Sequence, residues 1–321
     1  MSEFKVEVVT VGKVEKHPNA DTLSIADVNG YPCIVRTGEF EEGSLAVYLP
    51  IDSIVPDEPM WAFLDGKRRI KAKKLRGVFS MGMLTAADPS WEIGRDVQAE
   101  MMIEKYEPDV AQVAQGNDER DPGLCPVYDI DGYRKNKSLF EVGEPVWISE
   151  KIHGQNARFI HDGERLHVAS RTRFKKAEED GCWANVARRY ALAEKLAAHP
   201  MIAVYGETYG NNSDMPYGVN RGKEGDRLVL FDALDTRTMR WFNVDEFIGF
   251  AEGIGLPVVP TLYRGPWDPS LVSLSEGKTT MPGANHVREG IVIKPLTERR
   301  AKIGRVFLKL AGEGYLLRKT A

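Results

Sequence analysis

The chain has 321 residues, 42% of them hydrophobic and 28% charged, and a net charge of −4. This length is about twice that of an average domain, so two domains are expected, and no apolar run approaches the roughly 18 residues that span a bilayer. The start, MSEFKVEVVT, lacks a signal-peptide pattern, and the isolated Cys33, Cys125 and Cys182 indicate neither a disulfide framework nor a zinc site. We therefore expect a cytoplasmic protein with no membrane partner, and the net charge still allows one local basic face.

Short β-branched runs separated by turn signals fill residues 1–110, and they predict a small β-barrel. The predicted strands include Leu23–Val28, Cys33–Val35 and Leu45–Leu49. After the first strand, His17–Leu23 reads HPNADTL, which resembles the turn of OB-fold tRNA-binding modules. This region is accordingly predicted to be an OB-fold domain that binds nucleic acid.

A basic run follows within the same region and leads into the strand-like segment Gly77–Leu84. Its cations are Lys67, Arg68, Arg69, Lys71, Lys73, Lys74 and Arg76. Cations on the edge of an OB fold are suited to contacting nucleic-acid phosphates, so we predict that they bind RNA. The structural alternative is a solvated surface loop.

Residues 111–126 lose periodicity and collect Asp, Glu, Gly and Pro, which predicts a linker between the first domain and a second domain at 127–321. The second domain mixes helix and strand patterns. An Ala-rich helix is predicted from Trp183 to His199, stopped by Pro200. A second helix is predicted from Val244 to about Glu252, with Asn243 and Glu246 as a capping pair.

The segment after the apolar run Pro145–Ile148 contains Lys151-Ile152-His153-Gly154-Gln155-Asn156. A lysine amine attacks phosphorus only when it is neutral, and its reference pKa is about 10.4. Burial and neighbouring cations lower such a pKa, so we expect a pocket that supplies both. Glu150 should point away from this pocket, because successive strand residues face opposite sides.

Further motifs follow in a consistent order along the second domain. They are Ser170-Arg171, Val204-Tyr205-Gly206-Glu207, Leu228–Asp232 with Phe231, Glu289-Gly290-Ile291-Val292-Ile293-Lys294, and a late Lys309. Each motif alone is weak evidence for a function. Two of them also have purely structural interpretations: Arg171 as part of a basic surface loop, and Phe231 as a core aromatic. Their combination is specific.

The series, over about residues 127–320, resembles the covalent nucleotidyltransferase superfamily of ATP-dependent ligases and mRNA-capping enzymes, and Lys-x-His-Gly resembles its RNA ligase branch. The resemblance implies an α+β fold: an N-terminal OB-fold barrel, then an adenylyltransferase (ATP-grasp-like ligase) domain of antiparallel sheets with flanking helices. An OB module before the ligase domain resembles the group typified by the Deinococcus ligase.

The resemblance also implies a role for each motif. Lys151 would become the AMP-lysine, Glu207 would bind the ribose hydroxyls, Phe231 would stack on adenine, and Glu289 would help to hold a divalent metal. Lys294 and Lys309 would neutralise the α-phosphate, and Arg171 would contact phosphate. Gly154 would let the backbone approach the nucleotide, with His153 and Asn156 beside it in the nucleotide-binding motif.

Glu289 and Lys294 are five residues apart, so in a regular strand their side chains face opposite sides. Both reach one pocket only if the strand bends or bulges, and Gly290 is the predicted place.

The sequence thus predicts a monomeric ATP-dependent RNA ligase in RNA repair. ATP and Mg²⁺ or Mn²⁺ would be required, and the partner would be RNA with 3′-hydroxyl and 5′-phosphate ends, with a nicked duplex and a single strand left as alternatives. Two alternatives remain: a capping-type or DNA-joining enzyme with the same lysine chemistry, and a noncatalytic OB-type RNA-binding protein.

Overall fold

Short strands dominate the structure, a computed structural model that describes residues 4–106, 118–211, 213–220 and 222–318. The chain divides into two units, Met1–Val110 with Leu316–Ala321, and Ala111–Tyr315. Across these described ranges, no helix is long and apolar enough to cross a membrane.

The first unit is built from small antiparallel sheets and one 3-10 helix, Pro59–Leu64. Its strands are β1 (Glu7–Thr10), β2 (Val14–Lys16), β3 (Leu23–Val28), β4 (Tyr31–Arg36), β5 (Leu45–Leu49), β6 (Ser53–Ile54), β7 (Lys73–Leu75), β8 (Val78–Ser80), β9 (Met83–Ala86) and β10 (Glu104–Lys105). The sheet orders are β1-β5-β9, β2-β3-β4, β6-β10 and β7-β8. The three strands predicted at 23–28, 33–35 and 45–49 are all present.

Alternation explains these strands. In β3, Ser24, Ala26 and Val28 are buried, whereas Asp27 between them is exposed. A strand with one buried face buries every second side chain, which is the pattern that the sequence carries. Ala26 and Val28 join the buried apolar cluster formed by β1, β3, β4, β5 and β9.

The second unit contains two larger sheets. Its strands are β11 (Asp118–Glu119), β12 (Asp131–Gly132), β13 (Pro145–Lys151), β14 (Gln155–His161), β15 (Leu166–Ser170), β16 (Phe174–Lys175), β17 (Ile202–Tyr209), β18 (Arg227–Asp235), β19 (Arg240–Trp241), β20 (Thr261–Pro266), β21 (Gly290–Pro295), β22 (Arg300–Ala301), β23 (Gly304–Arg305) and β24 (Leu308–Ala311). A seven-stranded antiparallel sheet has the order β11-β16-β15-β14-β17-β18-β19. A five-stranded sheet has the order β12-β24-β21-β13-β20, with one parallel pair, β12 with β24.

The helices are short: α1 (Tyr133–Asn136), α2 (Cys182–Arg189), α3 (Leu192–Ala197), α4 (Val244–Gly253) and α5 (Glu313–Arg318). The single helix predicted at 183–199 is wrong, because the chain breaks it into α2 and α3 at Ala191, which has a left-handed φ of 52°. The helix predicted at 244–252 is confirmed as α4, and the Glu246 carboxylate accepts the Asn243 backbone N–H at 3.4 Å.

The predicted linker lies partly outside the described residues, at 111–117. Its described part includes β11, in which Asp118 and Glu119 pair with Lys175 and Phe174 of β16. Arg173 and Lys175 also bind the Asp118 carboxylate. Asp118 and Glu119, predicted to lie in the linker, therefore belong to the seven-stranded sheet.

Candidate active site

Lys151 is the last residue of β13, where the chain leaves the five-stranded sheet; four residues later, it enters the seven-stranded sheet as β14. Its Cα is paired with Gly290 of β21. The half-buried Lys151 ammonium lies 3.0 Å from Oε1 of Glu289, the residue just before β21. Glu150 points elsewhere, as expected: its carboxylate accepts hydrogen bonds from the backbone and hydroxyl of Thr280 at 2.8 and 2.7 Å.

The expected lowering of the Lys151 pKa is wrong for the protein without ligands. Burial does lower it, but the charges of Glu289 and Glu207, together with the hydrogen bond to Glu289, raise the pKa of Lys151 above its ordinary value. Two carboxylates near one ammonium explain the sign. The lysine is therefore protonated and paired in this state.

Glu207 enters the site from β17. Its Oε1 accepts a hydrogen bond from the backbone N–H of Gly154 at 3.0 Å. Burial raises the pKa of Glu207 to about 8, Lys151 opposes that change, and the nearby charge of Glu289 adds to it. The two carboxylates and the lysine thus form one electrostatically coupled group.

The requirement for glycine at 154 comes from β17. A Cβ at Gly154 would lie 2.0 Å from the Thr208 carbonyl oxygen, so only glycine allows the chain to pass this close. Gly290 is similar, since its Cβ would lie 2.1 Å from the carbonyl oxygen of Leu310 in β24. Both glycines are thus explained by backbone packing around Lys151.

A nucleotide and a divalent cation fit the remaining polar atoms. Oδ1 of Asn156 and Oε2 of Glu289 are buried and have no hydrogen-bond partner among the described residues. Asn156 pairs with Glu207 across β14 and β17, so the two side chains share one face of the sheet. No group of three or more acidic, histidine or cysteine side chains in the described chain is arranged to hold a metal alone. Mg²⁺ often uses only one or two carboxylates and takes its other ligands from water and substrate phosphates, so Glu289, with its unpartnered oxygen, is a suitable ligand.

His153 is held on several sides by residues that the sequence did not single out. Its Nε2 lies 2.7 Å from Oδ1 of Asp214, and its Nδ1 lies 2.9 Å from the hydroxyl of Tyr315 in α5. The Tyr217 hydroxyl accepts the His153 N–H at 2.7 Å, and Ser213 donates to the His153 carbonyl at 2.9 Å. These partners come from distant parts of the chain and carry no motif of their own.

Lys309 lies on β24, paired with Val292 of β21. Burial lowers the pKa of Lys309 to about 8, and the charges of Lys151 and then Arg171 lower it in the same direction. Arg171 donates to the Asp129 carboxylate. Lys309 therefore supplies positive charge near Lys151, and Arg171 lies close enough to Lys309 to act on it.

Phe231 lies at a bulge. Leu230 pairs with Gly206 and Asp232 with Tyr205, which leaves Phe231 without a partner in the ladder between β17 and β18. Its half-buried ring packs 4.8 Å from the ring of Tyr128, centroid to centroid. A bulge re-aims a side chain, and it presents this ring on the sheet that carries Glu207.

Lys294 was expected beside Glu289 in the nucleotide pocket, but it lies in a buried ion-pair network around Asp232. Its ammonium is only 1% exposed and lies 2.9 Å from Oδ2 of Asp232 and 3.6 Å from Oε1 of Glu298. Arg305 lies 2.8 Å from the same Asp232 oxygen, and Tyr128 donates to it at 2.7 Å. Glu289 contacts Lys151, and Lys294 contacts Asp232, so the structure does not bring Glu289 and Lys294 together; β21 keeps an unbroken register with β13.

The predicted RNA-binding cations of the first unit fall into three groups. Arg68 and Arg69 are used within the fold: Arg68 donates to the Val55 carbonyl at 2.7 Å, and Arg69 bonds Asp52 at 2.6 Å. The second group, on the exposed hairpin of β7 and β8, comprises Lys73, Lys74 and Arg76. In the third group, Lys67 is exposed and Lys71 is partly exposed.

A coupled lysine and two carboxylates, with a buried acceptor and further cations beside them, define a site of the nucleotidyl-transfer class. The family model described as RNA ligase matches residues 144–311, just over half of the chain, and the chain belongs to this family. A second model, described as an OB-fold domain, matches residues 5–87. No curated protein matches.

Solved structures of Naegleria gruberi RNA ligase share the fold along the whole chain. A mutant with ATP and Mn has a TM-score of 0.87 and 20% identity, covering 99% of both chains. The ligase with PPi has a TM-score of 0.85 at 20% identity and the same coverage. A second mutant, with AMP and Mn, has a TM-score of 0.84 at 21% identity, covering 98% of this chain and 99% of its own. The N-terminal OB fold followed by a ligase domain, and the α+β class, are thereby confirmed.

Proposed function

We propose that this member of the RNA ligase family uses ATP and a divalent cation to join a 3′-hydroxyl to a 5′-phosphate through a lysyl-AMP on Lys151. The observation that carries the proposal is the Lys151 ammonium held 3.0 Å from Glu289 and coupled to Glu207 and Lys309. The relatives of known structure were solved with ATP, AMP or PPi, and two of those cited with Mn, which supports the choice of nucleotide and metal.

In the first step, Lys151 loses its proton and the free electron pair of Nζ attacks the α-phosphorus of ATP. A nitrogen–phosphorus bond forms, the bond from the α-phosphorus to the bridging oxygen breaks, and pyrophosphate leaves. Lys309 and Arg171 offset negative charge that develops on the α-phosphate. Asn156 and Glu207 offer acceptors to the ribose hydroxyls, and Phe231 offers a face for adenine.

In the second step, an oxygen of the RNA 5′-phosphate attacks the same phosphorus and Lys151 leaves, which transfers AMP to the RNA end. In the third step, the RNA 3′-hydroxyl attacks the 5′-phosphate, loses its proton, and expels AMP. The strand is sealed by a phosphodiester bond. The energy of one ATP anhydride bond is consumed in the sequence.

Because the pKa of Lys151 is raised, its amine must be deprotonated before it can attack ATP in the first step. Glu289 would hold the divalent cation, whose positive charge beside Lys151 would weaken the pairing that keeps the amine protonated. Glu289 has one oxygen on Lys151 and a second, Oε2, without a hydrogen-bond partner among the described residues. The Glu289 carboxylate would thus serve both Lys151 and the metal.

The test is covalent labelling. The protein and its Lys151→Ala variant are incubated with α-labelled ATP or GTP and Mg²⁺, then separated on a denaturing gel and weighed intact. A Lys13→Ala variant is the matched control, because Lys13 is an exposed lysine of the other unit. We expect an AMP adduct on the wild type and on Lys13→Ala, and none on Lys151→Ala.

Other outcomes point to other functions. A GMP adduct would favour a capping enzyme. No adduct with either nucleotide, in protein first shown by mass to carry no AMP, would overturn the proposal and leave noncatalytic RNA binding. With an adduct in hand, RNA and DNA nicks distinguish RNA ligation from DNA joining.

A further inference from the structure

The hairpin of β7 and β8 presents exposed cations in an unusual backbone conformation. Lys73 and Lys74 lie on β7, and Arg76 and Gly77 form the two-residue turn. Both turn residues have positive φ, 44° for Arg76 and 87° for Gly77. This is the geometry of a type I′ hairpin, in which Asn, Asp or Gly ordinarily occupies the first turn position. An arginine there is strained, and such strain persists only where the surroundings hold it.

The surroundings that hold the hairpin are the residues of the HPN motif. His17 is 1% exposed, accepts the Asn19 N–H on Nδ1 at 3.0 Å, and has Nε2 3.1 Å from the Leu75 carbonyl. Since Nδ1 accepts, Nε2 is the nitrogen that donates to Leu75. The Asn19 side chain donates to the Arg76 carbonyl at 2.9 Å. The motif that resembles a tRNA-binding turn therefore fixes both the strand and the turn of the basic hairpin.

The cations of this hairpin are not neutralised by the fold. Among the described residues, no carboxylate lies within 4.0 Å of Lys73, Lys74 or Arg76, so none forms an ion pair. Two exposed cations elsewhere in the same unit are paired and serve as a comparison: Lys13 lies 2.5 Å from Glu15, and Arg95 lies 2.6 Å from Glu100. Lys73 and Lys74 are also successive strand residues, so they project from opposite faces of the ribbon.

We infer that the β7–β8 hairpin is a rigid phosphate-binding element that contacts the backbone of an RNA strand, one phosphate through Lys73 and another through Lys74. The choice of RNA rests on the proposed function. Unpaired ammonium groups on a fixed ribbon contact phosphates without first breaking internal ion pairs, and they carry no base specificity. Of the seven predicted RNA-binding cations, those on the hairpin therefore make the contact, and Arg68 and Arg69 hold the fold.

The test is the salt dependence of RNA binding by the full chain. Fluorescence anisotropy of a labelled single-stranded RNA with a 5′-phosphate is measured across a series of KCl concentrations. Each phosphate contact on a single strand contributes about 0.7 to the slope of log affinity against log salt, so Lys73→Ala with Lys74→Ala should reduce the slope by about 1.4. Affinity at moderate salt should fall about tenfold or more.

Two double variants control for charge and folding. Lys13→Ala with Arg95→Ala removes two paired cations of the same unit and should leave the slope unchanged. Lys73→Arg with Lys74→Arg keeps both charges and should retain the wild-type slope. An alanine variant whose slope and affinity equal those of the wild type would overturn the inference, as would an equal loss in the paired-cation control.

The labelling of Lys151 separates this inference from the proposed function. Because lysine adenylylation involves no RNA, the hairpin alanine variant should form the AMP adduct in wild-type amount, which also shows that the unit containing Lys151 is folded. If the wild type forms the adduct but the hairpin variant keeps the wild-type salt slope, the hairpin inference is rejected and the ligase proposal stands. A slope change without any adduct in the wild type retains nucleic-acid binding by the hairpin and rejects the ligase.

Discussion

The Lys151 ammonium and the Glu289 carboxylate lie 3.0 Å apart, and this pairing helps to keep Lys151 protonated. Glu289, with Glu207, raises the pKa of Lys151 even though burial acts in the opposite direction. Glu289 is also the carboxylate with a buried oxygen that has no hydrogen-bond partner in the described chain. The resting protein therefore keeps Lys151 charged and paired with Glu289.

Replacing Glu289 by Gln should lower the pKa of Lys151. Loss of an opposite charge at this distance changes a pKa by roughly 1–3 units, so the midpoint for acylation of Lys151 by acetic anhydride should move to lower pH by at least about one unit. Peptide mass spectrometry after brief labelling at several pH values gives the midpoint in the absence of nucleotide and metal. Lys13, in the same digest, should keep its midpoint. A Lys151 midpoint that stays in place would show that Glu289 does not control it.

Lys309 should limit adduct formation on the alkaline side. Its pKa of about 8 means that the ammonium is present below pH 8 and is lost as the pH rises through that value. Arginine stays charged throughout, so the ratio of the Lys309→Arg rate to the wild-type rate should be higher at pH 9 than at pH 7. Lys309→Ala should slow labelling about 10²-fold at pH 7. A rate ratio that does not change with pH would contradict a charge-based role.

Glu207 predicts a pH-dependent stability. Its ordinary pKa of 4.5 rises to about 8 in the fold, chiefly through burial. As pH rises between these values, the unfolded chain releases this proton before the folded chain does, so the wild type loses stability across that window and the loss is complete above pH 8. Glu207→Gln has no such proton. It should match the wild type at pH 4.5 and exceed it at pH 9 by roughly 2 kcal/mol, because the Glu207 side chain is only partly buried and water screens part of the effect.

Thermal unfolding at the two pH values measures this difference. For a unit of this size, such a change corresponds to an increase in Tm of roughly 4–8 °C at pH 9. Gln keeps the oxygen that accepts the Gly154 N–H, so that hydrogen bond survives in the variant. A variant that is equally stabilised at both pH values would point to packing rather than ionisation.

Gly154 and Gly249 should respond to alanine in opposite directions. The Cβ of an alanine at 154 would lie 2.0 Å from the Thr208 carbonyl, and backbone must move to accept it. We expect a loss of roughly 2–4 kcal/mol in the free energy of unfolding, as for severe overpacking. Gly249 lies inside α4 with open space around it, so alanine there should add roughly 0.5–1 kcal/mol. Urea denaturation of both variants gives the comparison, and a well-tolerated Gly154→Ala would contradict the close approach.

Much of the fold and of the site was predictable because the signals are local. Alternating side chains define β3 and β4, and the Asn243–Glu246 pair marks the start of α4. The motifs around Lys151, Glu207 and Glu289 also mark residues that meet in space. Each carries its own signature within a few residues, so no knowledge of the tertiary structure is required.

What depends on tertiary contacts was not predictable. The pKa of Lys151 is set by two carboxylates from distant strands, and His153 is held by Asp214, Tyr217 and Tyr315, which have no common motif. Lys294 shares a motif with Glu289, yet Asp232 is its partner. The break at Ala191 likewise has no helix-stopping residue to announce it.

Lys294 and Asp232 should act as a buried ion pair that supports the fold. Within this network, two cations, Lys294 and Arg305, face two carboxylates, Asp232 and Glu298. Lys294→Met leaves one carboxylate charge in excess in a buried site, which should lower the free energy of unfolding by roughly 3–5 kcal/mol. Asp232→Asn leaves one cation in excess and should cost a similar amount.

The double variant restores the charge balance, so its cost should be smaller than the sum of the two single costs by at least about 1 kcal/mol. Urea denaturation of the four proteins completes the cycle, and Lys151 labelling at low temperature reports on catalysis while each variant is folded. A folded Lys294→Met protein that labels Lys151 at the wild-type rate assigns Lys294 to the fold. Additive stabilities together with a large loss of labelling would instead restore the α-phosphate role that its motif predicted.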